Sequence, residues 1–312
     1  MRASQSEPES RSVVGPFPMV SVGLPVFNGA AVVSEAIRSI LFQSFRNLEL
    51  VVSDNHSSDA TESICRHFAE RDHRMTLCKK PRNIGPAANF QDVLSRARGG
   101  YFMWAAADDV WDLDYLQRAV AVLDSSPDIG FVFPSFKLSS VSLGMTTRRD
   151  TEPFCCIQSC DRRTRVIGFA NLHHASHKCN LVYSLFRTDL IRDAVRQQSI
   201  TNDGLLSMVV LGKTRGQTLP GNPFEKRYKR LWPGLWQACL PSAVRSLLPR
   251  RSASMHRAIM SSKDASRDHF PEYAREFDVI SAGYKEHHWL DGYKIVSPSV
   301  LALAENHHDQ GA

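Results

Sequence analysis

Short apolar runs alternate with amphipathic segments through the first half of this 312-residue sequence, and that alternation limits the fold more than any other feature. The runs are rich in β-branched and aromatic residues, which favour strands. The segment after the first run places Val33, Ile37, Ile40 and Leu41 at helical spacing. The pattern predicts an α/β fold in which helices cover both faces of a mostly parallel sheet. The predicted strands lie in MVSVGLPV, LELVVSD, MTLCKK, YFMWAAA and IGFVFPSF, with later helices near 86–97 and 112–124.

Polar residues follow the first four predicted strands where each strand ends, in the loops VFN, SDNHSSD, NIGPAANF and ADDVW. Ligands of parallel sheets bind outside the carboxyl ends of the strands, so we expect these loops to meet in one site. Taken singly, SDN and NIG are equally typical of plain turns. Asp108 and Asp109 could likewise be acids that favour the start of the next helix. However, two adjacent carboxylates after an uncharged strand repel each other, and a hard divalent cation would offset that repulsion.

The composition is that of a globular protein, with 43% hydrophobic and 22% charged residues. No apolar run reaches the roughly 18 residues of a membrane-spanning helix, and MRASQSEPESRS lacks the apolar core of a secretory signal. A cytoplasmic location is therefore expected, with residues 1–18 as a flexible lead. The seven cysteines are odd in number and irregularly spaced, which argues against a disulfide framework.

The order of these motifs resembles glycosyltransferase family 2, whose members have the GT-A fold. The resemblance rests on VSVGLPVFNGAAVVSEAIRSILFQSFRNLELVVSDNHSSDAT, NIGPAAN and ADDVW, and it covers about residues 19–230. It implies a metal-dependent, inverting enzyme that moves a sugar from a nucleoside diphosphate to a glycan or lipid-linked acceptor in cell-surface polysaccharide or glycolipid synthesis. The sequence has no QxxRW element, which is the hallmark of the family's processive synthases, so transfer of a single sugar is expected.

The resemblance also assigns roles to single residues. It implies that the residues contacting the nucleotide sugar are Pro25, Phe27, Asn28, Asp54, Asn83, Gly85 and Asp108. Within this set, Asp54 would contact the base and Asp108 would lie near the ribose or a metal-bound water. Asp109 would be the direct ligand of Mg²⁺ or Mn²⁺, ions that prefer carboxylate and phosphate oxygens and can neutralise the leaving diphosphate.

Asp203 is the candidate general base. It lies 94 positions after Asp109, which matches the family's spacing to its catalytic carboxylate, and directly before an apolar helical stretch at 204–212. An inverting displacement needs one such base to take the proton of the acceptor hydroxyl. Many members read Glu-Asp where this chain reads Asn202 and Asp203. Asp203 is also suited to cap the helix, and both roles are compatible.

A basic segment at 226–251 carries seven Lys or Arg residues and no acid, whereas the net charge of the whole chain is +6. Apolar residues such as Trp232 and Trp236 interleave with the basic ones. The pattern suits a helix on an anionic membrane surface, at the inner face of the plasma membrane, or an accessory helix packed on the catalytic domain. Nucleic acid is not an expected partner. Residues 231–312 predict a mainly helical extension whose role the sequence does not indicate.

Two other classes of protein share some of these sequence features. A nucleotidyltransferase also binds nucleoside phosphates on an α/β sheet, but the first strand is not followed by a Gly-rich, basic phosphate loop. A non-catalytic nucleotide-sugar-binding protein of the same fold is favoured by Asn202 in place of an acid. The joint presence of Asp54, Asp109 and Asp203 argues against it.

Smaller features carry local expectations. Asp59 and Glu62 have the spacing of a capping box, Trp104 is expected in the core, and Trp111 is expected in the pocket wall. The cysteines of CCIQSC could be imagined as a zinc site with the histidines downstream, but the paired short Cys spacings of structural zinc modules are missing. The members of that set are Cys155, Cys156, Cys160, His173, His174, His177 and Cys179. The pair His173 and His174 falls where the fold usually shapes the acceptor pocket.

Overall fold

The computed structural model describes residues 19–142, 145–150, 154–172, 178–198, 200, 203–228 and 266–278. The strands in these ranges are Val20–Val26 (β1), Leu48–Asp54 (β2), Met75–Lys79 (β3), Tyr101–Trp104 (β4), Val110–Trp111 (β5), Ile129–Ser142 (β6), Met145–Asp150 (β7), Leu185–Arg187 (β8) and Arg215–Tyr228 (β9). The α-helices are Val33–Leu41 (α1), Thr61–Ala69 (α2), Pro86–Arg96 (α3), Tyr115–Ser125 (α4), Arg162–Asn171 (α5), Thr188–Gln197 (α6) and Asp203–Lys213 (α7). Short 3-10 helices span Cys155–Gln158, Lys178–Tyr183 and Pro271–Tyr273.

The strands form one sheet in the order β3-β2-β1-β4-β8-β6-β9-β5, and β7 pairs with β6 outside that order. Strands β1 to β4 are mutually parallel, and β6 is parallel to β9. The other pairings of β5, β7 and β8 are antiparallel. The predicted α/β fold with a mostly parallel sheet is confirmed, and its parallel pairing is concentrated in the first half.

The buried strands of the first half explain the apolar runs of the sequence. Every residue of β1 and β2 is buried, as expected for strands with helices on both faces. A tight turn joins α3 to β4 at Gly99. A Cβ at this position would lie 2.7 Å from the backbone nitrogen of Ser21, so the turn approaches β1 too closely for any side chain.

Two local expectations were wrong. Asp59 accepts hydrogen bonds from the backbone N–H groups of Ala30 (3.1 Å) and Thr61 (3.0 Å), but no capping box forms. Two cations, Arg66 and Lys79, draw the Glu62 carboxylate away from the start of α2.

Trp111 is likewise a core residue and not a pocket wall. Its side chain is 2% exposed and stacks on Phe224, with ring centroids 4.3 Å apart. Trp104 is fully buried, as expected.

The basic segment begins differently from the prediction. Residues 226–228 are the end of β9 and not the start of a helix, whereas 229–251 lie outside the described residues. Lys226 and Arg227 are paired with Asp109 and Glu35.

Residues 266–278 form short helical turns that pack against α5 and α7. Phe270 and Phe277 are buried there, and Arg162 pairs with Glu272 at 2.6 Å. This portion of the C-terminal extension is therefore helical and attached to the main domain. Among the residues that the structure describes, no helix has the length and apolar character needed to cross a bilayer.

Candidate active site

Asp54 ends β2 and is fully buried. Its Oδ1 accepts hydrogen bonds from the backbone N–H of Ser57 (3.1 Å) and from the Ser57 hydroxyl. Its Oδ2 is also buried and has no hydrogen-bond partner among the described residues. A buried acceptor without a partner costs about 1–3 kcal/mol, so this oxygen is ready for a donor group from a ligand.

The loop after β1 is joined to the loop after β2. The backbone N–H of Asn28 donates to Ser57 Oγ at 2.9 Å, and Asn28 Oδ1 accepts from the N–H of Ser58 at 2.9 Å. Asn28 has a φ of 49°, a conformation that asparagine tolerates better than most residues. Pro25 lies in β1 opposite Ser53, and Phe27 remains 50% exposed.

Asn55, directly after β2, joins the loop after β2 to the loop before α3. Its Nδ2 donates to Asn83 Oδ1 at 3.0 Å and to the carbonyl of Gly85 at 3.3 Å, and its Oδ1 accepts from the N–H of Ile84 at 2.8 Å. Gly85 has a φ of 82°, which favours glycine, and α3 begins directly after it. The sequence pattern gave Asn55 only a turn role, yet its amide joins the second and third polar loops.

Asp109 is fully buried beyond the end of β4, and both its carboxylate oxygens are engaged. Oδ2 accepts from Lys226 Nζ at 2.7 Å, and Oδ1 accepts from the backbone N–H of Arg227 at 3.2 Å. The Lys226 side chain is 12% exposed, and its Nζ lies 4.6 Å from the centroid of the Tyr183 ring. Asp109 is therefore held by residues of β9, which lie 117 positions or more later in the sequence.

Burial raises the pKa of Asp109 to about 6, against the opposing effect of the Lys226 cation. Burial alone would lower the pKa of Lys226, but Tyr183 and the carboxylates of Asp109 and Asp108 outweigh it and hold that pKa above its usual range. Both groups are thus charged at pH 7, and the contact is a buried ion pair.

Asp108 differs from its neighbour. It is partly exposed, and its carboxylate has no hydrogen-bond or ion-pair partner among the described residues. It still lies close enough to Lys226 and Tyr183 to affect the pKa of both. Of the two adjacent aspartates, Asp108 has the carboxylate that a ligand could reach.

Asp203 is the first residue of α7 and reaches solvent. Partial desolvation by the surrounding protein raises its pKa to about 6, while the Lys226 cation opposes the rise. The pKa of Tyr183 is raised to about 12, chiefly by burial and further by the charges of Asp109, Asp203 and Asp108, while the Lys226 cation opposes the rise.

The structure brings the predicted site residues together at one edge of the sheet, in two adjoining groups. One group comprises the loops after β1 and β2 and before α3; the other comprises Asp108, Asp109 and Asp203. They meet where a Cβ at Gly29 would lie 3.8 Å from Ala107 Cβ. Sequence reasoning missed Tyr183 and placed Lys226 in the basic segment at 226–251. No periodic signal marks Lys226, because three charged residues in a row stand between Phe224 and Tyr228.

The zinc interpretation gains no support. Within the described ranges, no group of three or more His, Cys, Asp or Glu side chains is placed to hold a metal ion by itself. His173, His174 and His177 lie outside the described residues, as does the side chain of Cys179.

Comparison with known proteins places the chain in a family. Residues 21–184 match the model of glycosyl transferase family 2. An uncharacterized glycosyltransferase of Haemophilus influenzae is 34% identical over 101 residues, which cover 32% of this chain and 40% of that protein. The putative teichuronic acid biosynthesis glycosyltransferase TuaG of Bacillus subtilis is 31% identical over 101 residues, with the same 32% and 40% coverage. The chain thus spans about two fifths of the length of these relatives.

Solved structures agree on the fold. TarS of S. aureus (residues 1–349, in complex with UDP-GlcNAc) has a TM-score of 0.55 and 17% identity over 86% of this chain and 72% of that chain. The mannosyltransferase PcManGT of Pyrobaculum calidifontis, in complex with GDP-Man and Mn²⁺, has a TM-score of 0.50 and 18% identity over 95% of this chain and 81% of that chain. With a family match over more than half of its length and a GT-A fold, the chain belongs to glycosyl transferase family 2, a family of glycosyltransferase enzymes.

Proposed function

We propose that the chain transfers a single sugar, with inversion, from a nucleoside diphosphate donor to a glycan or lipid-linked acceptor of the cell surface. The observation that carries this proposal is the open carboxylate oxygen of Asp54 in the loop after β2, together with the contact of Asp109 with Lys226 beside Tyr183. Membership of the family supports the reaction class. The name of TuaG supports a cell-surface polysaccharide as the product, and the sugar nucleotides bound to TarS and PcManGT support the donor class.

The donor base is proposed to lie against the loops after β1 and β2. Asp54 Oδ2 would accept a hydrogen bond from a base N–H, and the exposed ring of Phe27 offers an apolar face for stacking. Pro25 and Asn28 shape this loop, and Asn83 and Gly85 would close it from the side of α3.

We propose Asp108, in place of Asp109, as the direct ligand of the divalent cation. Asp109 was predicted as the direct ligand, but Lys226 and the N–H of Arg227 already occupy its oxygens. Asp108 offers the open carboxylate that Mg²⁺ or Mn²⁺ prefers, so the donor set fits a cation shared with the phosphates of the donor. When bound, the ion would neutralise negative charge on the departing diphosphate.

Asp203 is proposed to take the proton of the acceptor hydroxyl as that oxygen attacks the anomeric carbon. With a pKa of about 6 the carboxylate is ionised at neutral pH, yet it is more basic than an ordinary aspartate. Its place at the start of α7 allows it to face an acceptor that enters from solvent. A cytoplasmic site of action, peripheral to the membrane, belongs to the same proposal.

A panel of UDP-, GDP- and dTDP-sugars, assayed for donor hydrolysis and transfer with and without Mn²⁺, tests this function. We expect turnover of at least one donor and its loss on chelation. Asp108→Asn should remove the Mn²⁺ dependence of nucleotide binding with little change in thermal stability, because its carboxylate makes no ion pair. The matched control is Asp112→Asn, an exposed acid four positions later.

Other outcomes favour other functions. Nucleotide binding without turnover of any donor would favour the non-catalytic binding protein. Turnover of nucleoside triphosphates with release of pyrophosphate would favour the nucleotidyltransferase. If Asp108→Asn binds nucleotide with the same Mn²⁺ dependence as the parent, then Asp108 is not the ligand.

A further inference from the structure

The Ser57 hydroxyl determines which oxygen of Asp54 is free for a ligand. Its Oγ accepts from the backbone N–H of Asn28 at 2.9 Å and donates its own proton to Asp54 Oδ1. The backbone N–H of Ser57 donates to the same oxygen at 3.1 Å. A carboxylate oxygen has two lone pairs, and Ser57 engages both of those on Oδ1. Asp54 therefore keeps one oxygen, Oδ2, for a ligand.

The surroundings of Asp54 keep this division between its two oxygens. The residue is fully buried at the end of β2, and the N–H of Ser58 ties the loop after β2 to Asn28 Oδ1 at 2.9 Å. Rotation of the carboxylate about its Cβ–Cγ bond would only exchange two equivalent oxygens, because one of them stays with Ser57. The site thus offers a donor base one acceptor and not two in parallel.

The bases of sugar nucleotides present different edges to such an acceptor. Uracil and thymine have one imide N–H, which lies between two carbonyl oxygens. Guanine has two parallel N–H groups, which match a carboxylate only when both of its oxygens are free. The ring nitrogen of cytosine at the corresponding position carries no proton, so it would repel the carboxylate. A single free oxygen therefore complements the edge of uracil or thymine.

The difference is large enough to select a donor. A buried N–H without an acceptor weakens binding by about 5- to 150-fold, and guanine would leave one of its two N–H groups without a carboxylate acceptor. The fold itself is compatible with either class of base, since TarS is in complex with UDP-GlcNAc and PcManGT with GDP-Man. The choice of base must then come from individual residues.

We propose that the donor of this chain is a uridine or thymidine diphosphate sugar, and that Ser57, to which no comparison assigns a role, is the residue that selects it. By holding Oδ1 of Asp54, Ser57 leaves a single acceptor for a single imide N–H. Ser57 is a positioning residue, because it acts through Asp54. The selection rests on the proposed function, which places the donor base against Asp54.

Calorimetric titration of the parent with UDP, dTDP, GDP and CDP, each with Mn²⁺, measures the selection without turnover. We expect UDP and dTDP to bind at least about tenfold more tightly than GDP and CDP. A parent that binds GDP or CDP as tightly as UDP would overturn the proposal. Absence of binding by all four would overturn it together with the placement of the base at Asp54.

Ser57→Ala tests the selecting role of the hydroxyl. The change frees a lone pair on Asp54 Oδ1 for a second N–H, so the ratio of UDP affinity to GDP affinity should fall by at least about fivefold. Ser58→Ala is the matched control, because its hydroxyl lies one position along the same loop and contacts Asn28 Oδ1 at 3.3 Å. The control should keep the parental ratio. A merely structural role of Ser57 would weaken all four nucleotides alike, and an unchanged ratio would therefore contradict the proposal.

Asp54→Asn should reverse the preference. Its amide oxygen still accepts from Ser57, so its NH₂ group takes the place of Oδ2 and complements the unprotonated ring nitrogen of cytosine. The ratio of UDP affinity to CDP affinity should fall, and a parental ratio would count against the proposal. Transfer assays recognise failure of the proposed function separately. A parent that binds UDP but transfers no sugar is not a transferase, whereas equal transfer from GDP- and UDP-sugars overturns the selection alone.

Discussion

The two halves of the candidate active site are held together in different ways. On the nucleotide side, Asp54 is fixed by Ser57 three positions away, and Gly85 donates to Asn83 two positions away. On the reaction side, Asp109 is fixed by Lys226, 117 positions away. The first half combines hydrogen bonds within single loops with others that join neighbouring loops, such as those of Asn28 with Ser57 and Ser58. The second half exists only when the whole sheet has closed, so its chemistry depends on the complete fold.

The largest expected effect is on the reaction side. Asp203→Asn should lower kcat by about 10² to 10⁴-fold, because the base contributes only in the transition state, while UDP or GDP affinity and the melting temperature stay near those of the parent. In the parent, kcat should fall as pH drops below about 6, since protonation of Asp203 removes the base. Single-turnover transfer and calorimetric nucleotide titration check both halves at once.

The control is Asp189→Asn, an exposed acid in the first turn of α6. Normal transfer by Asp203→Asn would show that another residue is the general base. Simple unfolding would show that the residue serves as a helix cap.

The next effect is on stability. Asp109→Ala leaves the Lys226 cation buried without its partner and should lower the free energy of unfolding by about 3–5 kcal/mol, measured by urea denaturation. Asp128→Asn breaks the pair with Arg215 at the surface and should lower the free energy of unfolding much less. If the two variants lose the same free energy of unfolding, then the ion pair of Asp109 with Lys226 stabilises the fold no more than a surface ion pair does. The contrast between the two halves of the site would then be wrong.

The smallest effect is on the nucleotide side. Asp54→Asn keeps a side chain of the same shape, but an amide cannot both accept from Ser57 and accept from the base. Nucleotide affinity should fall by about 1–3 kcal/mol, or about 5- to 150-fold. The urea midpoint and the pH profile of the remaining activity should change little, because this loop is separate from Asp203. A large shift of the pH profile in Asp54→Asn would show that the two halves of the site are coupled.

The sequence predicted that the loops after β1 and β2 lie side by side, and there is a physical reason for that. Polar residues that directly follow a buried strand lie in the loop at the carboxyl end of that strand. The parallel pairing of β1 with β2 places Val26 opposite Asp54, so the two loops begin side by side. Local spacing therefore carried most of the information about the loops. The capping box at Asp59 and Glu62 was the exception, because Lys79 of a neighbouring strand competes for the glutamate.

The reaction side was predicted less fully. The pattern recognised two adjacent aspartates but could not distinguish the open one from the paired one, since the partner of Asp109 comes from β9. Lys226 was assigned to a basic surface segment because its neighbours in sequence are basic, whereas its burial depends on the packing of Phe224 and Trp111. Contacts over more than a hundred positions leave no periodic trace in a single sequence.

The course of β9 has a consequence for changes in chain length. Leu219 pairs with Pro134 of β6 and Phe224 with Phe136, so four residues of β9 bulge out opposite a single residue of β6. Gly221, with a φ of 93°, lies in this bulge. An insertion or deletion of one residue at 220–223 can be absorbed there as a larger or smaller bulge. The same change between Phe224 and Lys226 would turn the lysine to the opposite face of the strand. Natural or engineered variation in loop length should therefore be tolerated on one side of Phe224 and rejected on the other.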